Sequence, residues 1–207
     1  MSSRESLGLF PLNAVLFPGA LLPLHVFEAR YKQLIGECIA SGGEFGVNLM
    51  DGRKMRDVGC GARVVEVVSR YNDGRMDVVI QGTRRYRIGV LDAESQLYVT
   101  SDVEWLDDIE EEIDQTALRS AVMMYNELVT TVYNGRQETI AVDDIDGDAS
   151  FKMAQKAGLE LQQRQHLLTI NSENERLAYL NEYLAGVLPK IKEAERIQGI
   201  IRNDGYL

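Results

Sequence analysis

The sequence predicts an α+β protein with a β-rich, partly closed barrel lobe over residues 1–108 and a helical lobe over residues 109–207. Three observations carry this. Between Gly61 and Trp105, valine-rich runs alternate with polar residues and are broken by Asn72-Asp73-Gly74, a hairpin signal. Near the start, Phe17-Pro18-Gly19 reads as a reversal, because proline presets the turn and glycine accepts the positive φ of its third position. From Ile113 onward, apolar residues recur at three- and four-residue steps, the period of an amphipathic helix.

The elements follow in order. Leu22, Leu24 and Val26 alternate with Leu21, Pro23, His25 and Phe27, so both faces of this strand are largely apolar and a central position is expected. Pro23 is the misfit, since it cannot donate to a ladder, and it suggests an edge or bulge. Phe27, Tyr31, Leu34, Ile35, Cys38 and Ile39 mark one face of a helix that Ser41-Gly42-Gly43 ends. A short strand spans 45–50, and strands follow from Ala62 to Tyr71 and from Met76 to Ile80, with a break at Gln81-Gly82. Tyr86, Ile88 and Val90 form the next strand, and Leu97, Val99, Val103 and Trp105 share the inner face of the last.

The helical half opens with an acidic run through Glu112 and a helix of about six turns, ending near Asn134-Gly135. Residues 136–148 form a polar loop. Ser150 caps a short helix stopped by Gly158, and a second short helix covers 160–168. Ser172 and Glu175 form a capping box before the stripe Leu177, Leu180, Leu184, Val187 and Leu188, and Pro189 ends or kinks that helix.

Composition narrows the function classes. With 207 residues, 45% hydrophobic and 26% charged, the chain falls among ordinary globular proteins. A net charge of −10 repels phosphate backbones and argues against nucleic acid as a partner. No apolar run approaches the roughly 20 residues that cross a bilayer, and the first residues carry no signal-peptide core, so a cytoplasmic protein without membrane attachment is expected. Cys38 and Cys60 read as reduced thiols. No phosphate-loop glycine–lysine motif occurs.

Three blocks carry a family resemblance. They are Leu9 to Tyr31 (LFPLNAVLFPGALLPLHVFEARY), Val58-Gly59-Cys60 with Gln81-Gly82-Thr83-Arg84-Arg85-Tyr86-Arg87-Ile88, and Gln165-His166-Leu167-Leu168 before a Ser-capped helix. In this order they resemble the N-terminal, substrate-binding domain of the Lon protease family, in a form without the ATPase and peptidase domains. The pattern departs at Gly61, where an aliphatic residue is expected. The resemblance implies a PUA-like β pseudo-barrel lobe followed by an α-helical bundle lobe. It also implies a non-enzymatic module in protein quality control that binds unfolded or apolar polypeptide segments, as a monomer or weak dimer. A small-molecule sensor and an RNA-binding PUA-like protein are the alternatives.

The candidate polypeptide-binding residues are Leu16, Phe17, Pro18 and Leu21, because the turn carries large apolar side chains that its geometry does not need. The competing reading folds these side chains inward as a plug. No cofactor is implied. No metal is implied either: in the acidic stretch Asp143-Asp144-Ile145-Asp146-Gly147-Asp148, alignment on Gly147 puts Val142 and Met153 at the two most telling calcium-ligand positions. His25 and His166 have no ligand-like spacing, and His25 is expected to make one buried hydrogen bond. Arg84, Arg85 and Arg87 form the densest basic cluster, which strand alternation splits between two faces.

Overall fold

The computed structural model describes residues 5–133, 139–142 and 148–204, with side chains described to 197. The expected helix end at Asn134-Gly135 and most of the acidic loop lie outside these residues. The chain divides into two compact units, residues 1–108 with 160–171, and residues 109–159 with 172–207. It is an α+β fold with a mixed sheet in the first unit and helices in the second.

The sheet is built from β1 (Glu5–Leu12), β2 (Leu21–Val26), β3 (Phe45–Asp51), β4 (Lys54–Met55), β5 (Val58–Arg70), β6 (Met76–Asp92) and β7 (Thr100–Leu106). Pairing runs β1-β7-β6-β5-β3-β4, and β1 also pairs with β3 in parallel, so the circuit returns to its start. The two halves of β1 make this possible. Glu5 to Gly8 face β7 antiparallel, and Leu9 to Leu12 face β3. Leu7, Leu9, Tyr86 and Val103 form a buried cluster inside. The β5–β6 hairpin turns at Gly74, which takes a positive φ of 82° as its Asn-Asp-Gly signal requires.

Three strand expectations are corrected. β2 is an edge strand whose only strand partner among the described residues is β6, and Leu21, Pro23 and His25 are exposed. Its apolar residues therefore do not mark a central strand, whereas Pro23 does mark an edge. β6 runs unbroken through Gln81-Gly82. Before β7 the inward and outward positions are reversed: Leu97 is exposed and Tyr98 is buried, donating its hydroxyl to Glu37 Oε2 at 2.5 Å. Gly61 sits at a register shift of the β5–β6 pairing between Cys60 and Ala62, where a Cβ would meet Thr83 Oγ1 and the Trp105 ring.

Helix α1 (Ala29–Ser41) turns Tyr31, Leu34, Ile35 and Cys38 inward and ends at Gly42, φ 70°. Two further helices, α2 (Gln115–Tyr133) and α3 (Ala149–Ala154), belong to the second unit. Ser150 does not cap α3; it lies within the helix, and its hydroxyl donates to Glu173 Oε2 at 2.6 Å. α4 (Leu161–Thr169) opens with a Glu160–Gln163 capping box and belongs to the sheet unit rather than to the helices around it in sequence. Gln165 ties it to β5 by donating to the Val58 carbonyl at 2.9 Å. α5 (Glu173–Asp204) starts under the Ser172 hydroxyl, which accepts from the Glu175 amide at 3.1 Å, and passes through Pro189 without ending.

Candidate functional site

The Phe17-Pro18-Gly19 turn is the first place to look, and it is closed. Gly19 adopts φ 73°, and the Ala20 amide returns to the Phe17 carbonyl at 3.1 Å, the expected tight turn. Two backbone bonds of 2.9 Å, Gly19 to the Gly82 carbonyl and Gly82 to the Ala20 carbonyl, fasten it to β6. The Arg164 guanidinium lies 4.7 Å from the Phe17 ring centre, and its Nη2 donates to the Val15 carbonyl at 3.2 Å. Burial lowers the pKa of Arg164. Leu16 and Phe17 are 3% and 0% exposed. The turn therefore folds these two side chains inward. Pro18 is half-buried and Leu21 is 61% exposed.

An open apolar groove of about 430 Å³ lies elsewhere in the same unit. One wall is Leu9 to Leu12 of β1, the other Leu24 to Phe27 at the end of β2, and Met50, Met55, Leu91 and Val99 complete the lining. Phe10 stacks on Tyr31 at 4.1 Å between ring centres, and both are buried. Phe27, 61% exposed, and Leu91 stand out at the surface. Met50 and Met55 face each other across β3 and β4, placing two unbranched, adaptable side chains at the rim. Of the lining residues only His25, Glu28 and Arg30 are strongly polar.

Those polar groups are already engaged. Arg30 meets Glu28 at 2.8 Å and lies over the Tyr31 ring. His25 Nδ1 lies 2.6 Å from Asp77 Oδ1, and the Tyr71 hydroxyl donates to Asp77 Oδ2 at 2.6 Å. The two hydrogen bonds, with Tyr71 foremost, hold the Asp77 carboxyl below its ordinary range. His25 makes the single hydrogen bond expected of it, but at the surface.

The arginine cluster is likewise occupied. Arg84 lies 3.7 Å over the Trp105 ring and 3.5 Å from Glu5, and Arg87 is 3.9 Å from Glu104. Arg85 is buried, paired with Asp108, and donates to the Leu168 and Ile170 carbonyls, satisfying the C-terminal end of α4.

Comparison with known proteins accounts for this architecture. The family model described as the "ATP-dependent protease La (LON) substrate-binding domain" matches residues 6–186. The chain belongs to this family. It is 25% identical to the Lon protease of Flavobacterium johnsoniae, over 96% of this chain and 26% of that protein. It is 23% identical to that of Cytophaga hutchinsonii, over 81% and 22%. The chain thus spans about a quarter of the length of these curated relatives. Among solved structures it resembles a Lon N-terminal domain protein from Xanthomonas campestris, with TM-score 0.66, 28% identity, and coverage of 85% of this chain and 96% of that one. The N-terminal domain of Mycobacterium avium complex Lon protease, at 17% identity, TM-score 0.67 and coverage of 87% and 98%, shares the fold.

Within this Lon-type domain the sequence points to Leu16, Phe17, Pro18 and Leu21, and none of the four lines the groove. The missed residues are Phe27, Met50, Met55 and Leu91. Phe27 carries the one legible signal, its place on an apolar stripe, but α1 begins at Ala29 and its inward face at Tyr31, which leaves Phe27 ahead of the helix and exposed. Met50, Met55 and Leu91 meet through strand pairing, which spacing along the chain does not reveal.

Proposed function

We propose that this Lon-type domain binds polypeptide segments that expose apolar side chains, as in unfolded chains, and that the groove between β1 and β2 receives them. The observation that carries this reading is the lining: outside His25, Glu28 and Arg30 every residue is apolar or aromatic, and two methionines sit at the rim. A pocket for a small polar molecule converges several unpaired polar groups, whereas here Glu28 is taken by Arg30 and Asp77 by His25 and Tyr71. Methionine-rich surfaces repack around varied partners, which suits unrelated apolar segments. The returning circuit of strand pairings supports a PUA-like pseudo-barrel as the scaffold. The two free, buried thiols are in keeping with a reducing, cytoplasmic setting.

The test is binding of a fluorescein-labelled, capped peptide of leucine, phenylalanine and serine, followed by anisotropy. The wild type binds it, and Phe27→Ser and Met50→Ser each weaken binding by about tenfold, the loss expected when a large apolar contact is removed. Unchanged affinity in both variants overturns the groove as the site.

A further inference from the structure

The groove's two walls share a chemical peculiarity. Among the described residues, Phe10 to Leu12 of β1 pair only with β3, and β2 pairs only with β6, so each wall is a strand with one partner. Each wall also carries a proline, Pro11 on one side and Pro23 on the other. Because Gly82 donates to the Ala20 carbonyl, the β2 positions that face β6 are Ala20, Leu22, Leu24 and Val26. Leu21, Pro23 and His25 therefore point their backbone groups away from β6, and the middle one has no N–H. A bound segment that tried to extend the sheet along β2 would find its ladder interrupted there. Side chains must then supply the polar contacts that an extended polypeptide needs.

His25 is placed to do so. Asp77 is an ionised carboxylate and only accepts, so the ring nitrogen 2.6 Å from it, Nδ1, carries the proton. In the neutral imidazole this leaves Nε2 as an acceptor, and it has no partner among the described residues. The ring is held from three sides: by Asp77, which Tyr71 fixes in turn, by the Phe27 ring stacked at 6.0 Å, and by the Tyr71 ring edge-on at 6.1 Å. A long flexible acceptor would lose rotamer freedom on binding, whereas this one is already oriented.

The geometry points to His25 as the hydrogen-bond acceptor of the groove, receiving a backbone N–H of the bound segment beside its apolar side chains. The inference rests on the groove reading above. The donor is a backbone N–H because unrelated apolar segments share no side-chain donor, while every non-proline residue carries that group. Asp77 and Tyr71 are positioning residues, acting through the ring.

The test replaces each backbone amide of the capped leucine–phenylalanine–serine peptide by an ester in turn, which removes one N–H while preserving shape. With the wild type, one replacement weakens binding by about tenfold, the scale of one net hydrogen bond. With His25→Phe, which keeps an aromatic ring and removes the acceptor, the parent peptide binds about tenfold more weakly and the same replacement costs nothing further. Asp77→Ala, which frees the ring, blunts the sensitivity at that position. If the wild type binds the peptide and the ester scan is flat, or if His25→Phe keeps the sensitive position, the His25 assignment falls and the groove stands. If the wild type does not bind the parent peptide, the groove reading and the assignment fall together.

Discussion

Gly82 of β6 lies so close to the turn at Phe17 that a Cβ on it would overlap the Phe17 carbonyl oxygen. The obstacle is backbone, held by the Gly19 and Gly82 hydrogen bonds, so it cannot rotate away. Gly82→Ala is therefore expected to destabilise the protein by about 2–3 kcal/mol, the range for forced overpacking. Gly36, inside α1 with nothing within 4 Å of its missing Cβ, is the control. Gly36→Ala should stabilise by about 0.5–1 kcal/mol through helix propensity. Denaturant midpoints at constant slope measure both.

This contact explains where sequence reasoning succeeded and where it stopped. Turn chemistry is local, so Pro18-Gly19, Asn72-Asp73-Gly74 and Gly42 were all legible. The helix stripes were also legible, because Tyr31, Leu34 and Ile35 bury the face that their spacing defines. Gln81-Gly82 looked like a strand break because glycine weakens strands on average. Its actual cause, the approach of the Phe17 carbonyl, lies more than sixty residues away in the chain. Arg85 falls within a basic cluster in the sequence for the same reason, since the carbonyls of Leu168 and Ile170 that it serves are distant along the chain. Apolarity alone puts the strand of Leu22, Leu24 and Val26 at the centre, whereas part of that apolarity lines a groove.

Two phenylalanines in one short stretch should behave in opposite ways. Phe17→Ser removes a fully buried ring beneath Arg164 and should cost about 3 kcal/mol or more. Phe27→Ser alters a largely exposed ring and should change stability by no more than about 0.5 kcal/mol. Thermal and denaturant unfolding of the two variants side by side decides this.

In the helical unit, Arg176 is wholly buried, with Nη2 2.7 Å from Glu173 Oε2 and Nε 2.8 Å from Ser150 Oγ. The Ser150 amide also donates to Glu173 Oε1 at 2.9 Å, so one ionic network joins the start of α5 to α3. Arg176→Met leaves the Glu173 carboxylate buried without its cation and should cost about 3–5 kcal/mol. Adding Glu173→Gln should recover part of that loss, which a double-mutant cycle on unfolding free energies measures.

Burial raises the Cys38 thiol from 9.0 to about 11 and the Cys60 thiol from 9.0 to about 12. Neither should react with a disulfide reagent in the native protein near neutral pH, and both should react once it is unfolded. The sign of the linkage is fixed. Between 9.0 and about 11 the unfolded chain releases thiol protons that the native protein keeps, so these groups stabilise the fold below 9.0 and lose that contribution as pH rises through the folded values. Stability should fall less steeply in this window for the Cys38→Ala/Cys60→Ala double variant than for wild type.

The central claim is that the β1–β2 groove takes up apolar polypeptide. The most direct measurement is methyl NMR of protein labelled at methionine, titrated with the capped leucine–phenylalanine–serine peptide. Met50 and Met55 line the groove, Met123 is exposed in the other unit, and Met153 is buried there. The account predicts that the Met50 and Met55 resonances shift together and saturate while those of Met123 and Met153 stay in place. Saturable binding that moves Met123 and leaves Met50 and Met55 unmoved would contradict it.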